Sequence, residues 1–275
     1  MSVDLHIHTK ASDGSLSPEN VVKKAKKMNY QAISITDHDT VSGLEEAIKT
    51  GEKVNLEVIP GIEFNTKFEG NEVHILGYFI DYYNQDLLKI AKKLHDSRVN
   101  RVNKIINKLK TMGIKISNDE VFSLSNGGAV GRSHVARILK NKNYVENFSE
   151  AFDKYLAIGK EAYFERYRLE PDEAINIIKN SGGIPVLAHP GLIGDDKIIK
   201  EILSMGVVGI EAYYYEHNSN ETDKYIKLAN DNNLLITGGS DDHGPGNKDG
   251  ERLGKMKLDY ELVEELKNSK KAIVN

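Results

Sequence analysis

Cysteine is missing from the 275-residue chain. That excludes disulfides and thiolate metal ligands, and it agrees with a reducing compartment. Long apolar runs are missing too: no uninterrupted stretch is long enough to cross a bilayer. The N-terminal Met1-Ser2-Val3-Asp4-Leu5-His6 has no basic region followed by an apolar segment, so no signal peptide is expected. Together these absences point to a cytoplasmic protein without a membrane partner, and nothing calls for an obligate protein partner. No dinucleotide-type glycine fingerprint follows the first strand pattern. Neither an internal repeat nor a low-complexity tract is visible. What is there is ordinary globular composition, 39% hydrophobic and 28% charged. The length suits one large domain, or one domain carrying an insertion.

The formal net charge is only −4, which argues against a general nucleic-acid binder, but the charge is unevenly spread. Residues 88–168 hold seventeen Lys/Arg against eight Asp/Glu, a net of +9, and the remainder is −13. A basic segment set into an acidic body suggests an anionic ligand handled locally. The plainer account is a solvated helical surface that happens to be basic.

Hydrophobic periodicity divides the chain. Val3, Leu5 and Ile7 alternate with Asp4, His6 and His8, a period-2 strand. Ser17-Pro18-Glu19 opens a helix, with Ser as cap, Pro at the first helical position and an acid in the first turn. Strands follow at 32–36 and 56–59, with a helix over 43–54 between them. Segments 63–68 and 72–79, joined by Glu69-Gly70-Asn71, read as a hairpin. From about Asn84 a long amphipathic helix carries Leu87, Leu94, Val99, Val102, Ile105, Ile106 and Leu109 until Gly113 stops it. Shorter helical patterns continue to about Ile158 without a convincing strand. Strand–helix alternation resumes after Pro171, with strands at 184–188, 207–213 and 234–237. Repeated βα units imply a mostly parallel sheet, and about seven strands favour an α/β barrel over an open sheet. The expected organisation is a discontinuous barrel of residues 1–87 and 169–275, interrupted by a helical cap insertion at 88–168.

The positions of the ligand-type residues are the informative feature. His6 and His8 end the first strand. Asp37 and His38 follow the second, and Glu63 comes just after the third. His74 lies in the hairpin partner, His189 follows 184–188, and Asp241 and His243 follow 234–237. In a barrel of parallel strands these ends meet at one face. Residues i and i+2 of a strand point to the same side, so His6 and His8 can grip one ion. The same spacing recurs at Asp241 and His243. The Asp13-Gly14-Ser15 turn can bring Asp13 beside the site, and Gly238-Gly239 allow close backbone approach before Asp241. His95, among charges on the long helix, reads as a solvated residue. His217 and Glu211, on or after the 207–213 strand, can contact substrate or support a ligand from behind. Gly131-Arg132-Ser133-His134 opens a helix in the basic segment, where free N–H groups, a guanidinium and two further donors suit a phosphate. A capped helix with a surface Arg is the alternative.

The elements His6-Ile7-His8, Asp13-Gly14, Thr36-Asp37-His38, Gly61-Ile62-Glu63, His74-Ile75-Leu76-Gly77, Ala188-His189-Pro190 and Ser240-Asp241-Asp242-His243 occur in order across nearly the whole chain. In this the sequence resembles the polymerase and histidinol phosphatase (PHP) superfamily. The resemblance implies a distorted (β/α)₇ barrel and three metals. His6, His8, Glu63 and Asp241 would hold the first. Glu63 would bridge to the second, completed by His74 and His189, and Asp13, His38 and His243 would hold the third. Some relatives have His where this chain has Asp13, and an acid there shifts preference toward harder ions. All donors are N or O, compatible with Mn²⁺, Fe²⁺ or Zn²⁺; three carboxylates favour Mn²⁺. A metal-bridging hydroxide is the implied nucleophile. The insertion with Arg132, Ser133 and His134 looks like the cap of the branch containing nucleoside 3′,5′-bisphosphate phosphatases and 5′→3′ exonucleases of short RNA. A small phosphorylated substrate, a nucleotide or short oligonucleotide, is therefore expected. Histidinol-phosphate hydrolysis is the alternative enzyme reading. A non-catalytic, metal-bound regulatory domain is a third, against which the intact ligand set argues.

Overall fold

The computed structural model describes residues 2–124, 128–246 and 250–274. The chain divides into two compact units, Met1–Ala91 with Arg168–Asn275, and Lys92–Tyr167. In the first unit, β1 (Ser2–Ile7), α1 (Pro18–Lys27), β2 (Tyr30–Ile35), α2 (Leu44–Val54), β3 (Glu57–Phe68) and β4 (Asn71–Tyr78) come first. The long α3 (Gln85–Thr111) leads into the second unit, which adds α4 (Asn118–Leu124), α5 (Arg132–Asn141) and α6 (Phe148–Ala151). The chain then returns as α7 (Pro171–Asn180), β5 (Ile184–Leu187), α8 (Asp196–Ser204), β6 (Gly209–Tyr214), α9 (Ser219–Asp231), β7 (Leu235–Gly239), β8 (Leu258–Asp259) and α10 (Glu261–Val274).

Local chemistry accounts for the element ends. Ser17 caps α1 by accepting a hydrogen bond from the Asn20 N–H at 3.3 Å, with Pro18 in the first turn. The β3–β4 turn places Glu69 at φ +48° and Gly70 at φ +86°, the two left-handed residues that a tight hairpin demands. Gly113, at φ +83°, follows the end of α3.

Among the described residues, eight strands form one sheet in the order β7-β6-β5-β4-β3-β2-β1-β8. Pairing is parallel for β1–β2, β2–β3, β5–β6 and β6–β7. It is antiparallel around β4 and at β8. The residues after β7 bring the sheet back onto β1: the Asp241 N–H donates to the His6 carbonyl at 2.9 Å, and the His8 N–H donates to the Asp242 carbonyl at 2.9 Å. The sheet is thus a nearly closed, distorted barrel with helices around it. Beneath it, Val263 and Leu266 of α10 pack with Val3, Leu5, Leu76, Tyr78 and Val186.

Two details differ from the sequence expectation. Segments 56–59 and 63–68 are one strand, because β3 changes partner rather than ending. Glu57–Pro60 pair with β2 and Gly61–Phe68 with β4. Pro60 has no N–H to continue a ladder, so a break there looks like a strand end from sequence alone. Glu63 therefore sits within a strand. The short β8 at the sheet edge is too brief to leave a periodic signal.

The second unit has its own core: Val102, Ile105, Ile106 and Leu109 of α3, Val121 of α4, and Val135, Ala136 and Leu139 of α5, closed by Leu156 and Ala162. Among the described residues no helix is long and apolar enough to cross a membrane.

Candidate metal centre

Both faces of β1 are buried. Val3, Leu5 and Ile7 fill the core on one side, and Asp4, His6 and His8 carry the chemistry on the other. Period two places the His6 and His8 rings together, with their Nε2 atoms 3.1 Å apart. Glu63 Oε2 lies 3.2 Å from each of them. Asp241 Oδ1 lies 3.0 Å from His8 Nε2 and 3.5 Å from His6 Nε2. One donor atom from each of these four residues falls within 4.8 Å of all the others.

Glu63 is the centre of the wider cluster. Its Oε2 is also 3.0 Å from His38 Nδ1, and its Oε1 is 2.8 Å from His74 Nδ1 and 3.1 Å from His189 Nε2. His38, Glu63 and His74 form a second group with mutually close donor atoms. A third joins His8, Asp13, His38 and His243. There Asp13 Oδ1 lies 3.3 Å from His243 Nε2, and the His243 ring stacks on His8 at 4.2 Å between centroids. All nine ligand-type residues singled out by sequence come together, with His8 and His38 each within reach of two groups.

Close backbone approach makes this convergence possible. A Cβ on Gly239 would lie 2.3 Å from the His6 Cβ, so only glycine lets β7 run against β1 at that point. Gly14 plays the same part behind Asp13, where a Cβ would meet the His8 carbonyl oxygen at 2.7 Å.

A buried polar layer then fixes the ligands. Asp37 accepts from the Thr9 N–H at 2.7 Å, the Thr9 hydroxyl at 2.7 Å and the Ser12 hydroxyl at 2.5 Å, so it shapes the loop that carries Asp13. Asp4 accepts from the Ser240 N–H at 2.9 Å and ties β1 to the Asp241 loop. Tyr214 donates its hydroxyl to the outer Asp241 oxygen at 3.1 Å, with Arg252 Nη1 3.8 Å from that same oxygen and Arg252 also paired with Glu216. Glu72 Oε1 faces His74 Nε2 at 3.2 Å, and its other oxygen is 3.0 Å from Arg168. Glu211 Oε1 faces His6 Nδ1 at 3.0 Å, and its Oε2 accepts from the His189 N–H at 2.8 Å. Of these, the sequence does not single out Asp4, Glu72, Tyr214 or Arg252, and only the polar positions of β1 hint at Asp4; Asp37, expected with His38 among the strand-end ligand types, is instead taken up by Thr9 and Ser12.

The electrostatics are those of ligands gathered around positive charge. Burial pulls the His8 imidazole down, but hydrogen bonds to Asp241 and Glu63 hold it up at about 10. Burial likewise opposes the charge on His74, and Glu63 with Glu72 holds it at about 10. Burial would raise the Glu63 carboxyl, yet His38, His6 and His74 hold it well below the usual range. At Asp4 burial wins instead and pushes the carboxyl up to about 6, against hydrogen bonds from Ser240 and the His6 N–H and against the nearby His6 charge. With both rings neutral and unprotonated at Nε2, the two ring nitrogens and two carboxylate oxygens are four lone-pair donors gathered at one point with no hydrogen between them. A divalent cation satisfies all four, and the N and O donor set suits Mn²⁺, Fe²⁺ or Zn²⁺. The residues present therefore fit a bound metal.

The remaining candidates are placed differently. His217 accepts from the Gly191 N–H at 3.1 Å through Nε2 and pairs through Nδ1 with the Ala212 carbonyl at 3.0 Å. Both ring nitrogens are thus engaged by backbone, and the ring braces the turn after His189 against β6. In the second unit, His134 Nδ1 accepts from the Gly131 N–H at 3.1 Å, closing the start of α5. Arg132 donates to the Leu156 carbonyl at 3.1 Å and lies over the Phe152 and Tyr163 rings. Ser133 and His95 are exposed.

A cluster of His and carboxylate ligands carried on the strands and the loops that follow them, in a nearly closed β/α barrel, defines a barrel-type metallohydrolase. Comparison with known proteins narrows the class. The chain belongs to the PHP domain family, whose model matches residues 4–168. It is 34% identical over 251 residues to the 5′-3′ exoribonuclease Rnm of Escherichia coli, covering 88% of this chain and 85% of that protein. It is 30% identical over 253 residues to the 3′,5′-nucleoside bisphosphate phosphatase of Chromobacterium violaceum, covering 89% and 88%. Among solved structures, a proposed metal-dependent phosphoesterase of Bifidobacterium adolescentis superposes with a TM-score of 0.84 at 27% identity, over 96% of this chain and 94% of that one.

Proposed function

We propose that this phosphoester hydrolase removes phosphate from nucleoside 3′,5′-bisphosphates, from the 5′ ends of short oligoribonucleotides, or from both. The observation that carries the reading is the ligand cluster around Glu63, whose carboxylate meets imidazoles from four separate stretches of chain. The exoribonuclease and bisphosphate phosphatase names of two relatives that align over most of this chain support the choice of substrate.

In this reading His6, His8, Glu63 and Asp241 hold one metal, Glu63 with His74 and His189 a second, and Asp13, His38 and His243 a third. Mn²⁺ is favoured because three of the nine ligands are carboxylates, which prefer harder ions. Bound divalent ions supply an activated water and neutralise charge on the phosphoryl oxygens. The protein's own part is to hold the ligands rigid, through Asp37, Glu72, Glu211 and Tyr214, and to keep water ordered in a largely buried site. Arg132, Ser133 and His134 at the start of α5, in the +9 segment, are proposed contacts for a second phosphate, and His217 is proposed as a brace for the His189 turn.

A panel assay tests the reading. The Mn²⁺-loaded protein is offered a nucleoside 3′,5′-bisphosphate, a 5′-phosphorylated oligoribonucleotide, histidinol phosphate and a phosphoribosyl 1,2-cyclic phosphate. The last is included because an Eggerthella lenta phosphodiesterase named for it is 27% identical over 248 residues. The first two substrates are expected to give the highest kcat/KM. Preference for either of the others replaces the proposed substrate, and no turnover of any would support the non-catalytic alternative.

A further inference from the structure

Glu211 sits in the middle of β6 with no exposed surface, and both of its carboxylate oxygens accept hydrogen bonds on ligand residues from other strands. Oε1 meets His6 Nδ1 at 3.0 Å, and Oε2 meets the main-chain N–H of His189 at 2.8 Å. The parallel ladder between β5 and β6 ends at Leu187 and Ile210, so the Glu211 side chain takes over where main-chain pairing stops. His189 needs such an anchor: its backbone lies at φ +22°, ψ +64°, a conformation that non-glycine residues rarely adopt without support. From that position its Nε2 reaches Glu63 Oε1 at 3.1 Å. On the other side, a proton held on His6 Nδ1 by Glu211 leaves Nε2 as the lone-pair nitrogen. Nε2 is the atom that faces His8, Glu63 and Asp241.

We infer that Glu211 is a positioning residue for two metals at once: it fixes the tautomer of His6 for one and the strained backbone of His189 for the other. The inference rests on the proposed assignment of His6 and His189 to different metals. Supporting partners of metal-bound imidazoles generally set ring orientation and basicity, and their loss costs 10–100-fold in metal affinity. What is particular here is that one carboxylate serves two ligands by two different means, a ring nitrogen and a main-chain amide.

Glu211→Gln is the discriminating variant because it is isosteric and cannot keep both bonds. If the amide oxygen accepts from the His189 N–H, the amide N–H₂ faces His6 Nδ1 and drives the ring proton onto Nε2. If the oxygen accepts from His6, an N–H₂ meets an N–H at His189. Metal affinity is read by competition with a chromophoric chelator using Zn²⁺ and Co²⁺, alongside metal content per chain. Melting of the metal-free protein checks the fold, and kcat and KM are measured separately. At least one metal per chain should bind about 10–100-fold more weakly. The metal-free melting temperature should change little, and kcat should fall while KM holds. Wild-type affinity and content in the variant would overturn the inference alone. A wild type that binds no metal would overturn the underlying assignment with it. Independently of any variant, ¹⁵N spectra of the Zn²⁺-loaded wild type should show His6 protonated on Nδ1; protonation on Nε2 instead refutes the proposal.

Discussion

Glu63 divides its two oxygens among imidazoles from four different segments: His74 and His189 at Oε1, and His6, His8 and His38 at Oε2. Replacing it by Gln keeps the volume but removes charge and acceptor capacity from the proposed bridge. Glu63→Gln should lower kcat by about 100-fold or more, above the usual cost of losing a supporting partner, with a smaller change in KM. His95→Ala, on the exposed face of α3, should stay within about 0.5 kcal/mol in stability and leave kcat unaltered. Equal effects from the two would break the assignment. The imidazoles make a second prediction. His8 and His74 hold protons up to about 10 in the metal-free protein, and a metal ligand must be neutral. Metal binding at pH 7–8 should therefore release protons, and affinity should rise with pH across that range. Calorimetry in two buffers of different ionisation enthalpy measures the release, and a buffer-independent heat would contradict it. In the second unit, Arg132→Ala should weaken kcat/KM for a 3′,5′-bisphosphate by about 1.5–3 kcal/mol and an aryl monophosphate by much less. Because Arg132 also anchors on the Leu156 carbonyl, melting must be followed in parallel. A common loss for both substrates would remove the second-phosphate role.

At the scale of elements, the join of β1 to β7 is the sensitive point. The Asp241 N–H to His6 carbonyl bond depends on Gly239 having no side chain. Gly239→Ala should cost about 1–3 kcal/mol by overpacking, and it should also weaken metal binding, since His6 and Asp241 would be levered apart. Denaturant unfolding of the metal-free variant measures the first effect and chelator competition the second. A variant that loses stability but binds metal normally would show that the site tolerates this displacement. The strands themselves were legible from periodicity: β1, β2, the β3–β4 hairpin and β5 to β7 all stand where alternation and turn residues put them. β3 was read as two pieces because Pro60-Gly61 looks like an ending. Only the neighbouring strands reveal that it marks a change of partner.

For the whole molecule, ligands from residues 6 to 243 meet at one centre, so bound metal would staple stretches that are far apart in the chain. At metal concentrations about a hundredfold above Kd, each site adds about 2.7 kcal/mol to the stability of the state that binds. Chelation should therefore abolish turnover and lower the melting temperature. It should also speed hydrogen exchange at the end of β1, around Glu63 in the middle of β3 and after β7, while the α3–α5 core of the second unit, which has its own apolar packing, exchanges as before. Uniform acceleration across both units would mean that the metals stabilise more than the barrel.

The order of strands and helices, the amphipathic faces and the identity of the nine candidate ligands were set by the sequence itself. Those signals are local: alternation, caps and turns are written within a few residues, and ligand chemistry belongs to the side chain. The tertiary structure decided what no local pattern encodes. It placed Glu63 within a strand and at the centre of the cluster, and it turned His217 into a brace. It also recruited Asp4, Glu72 and Tyr214 to the polar layer behind the ligands, and it drew Asp37 away from the expected strand-end donors into that layer. A buried carboxylate reads in sequence like any exposed one, and only barrel closure, which removes it from water, forces it to take a ligand as its partner.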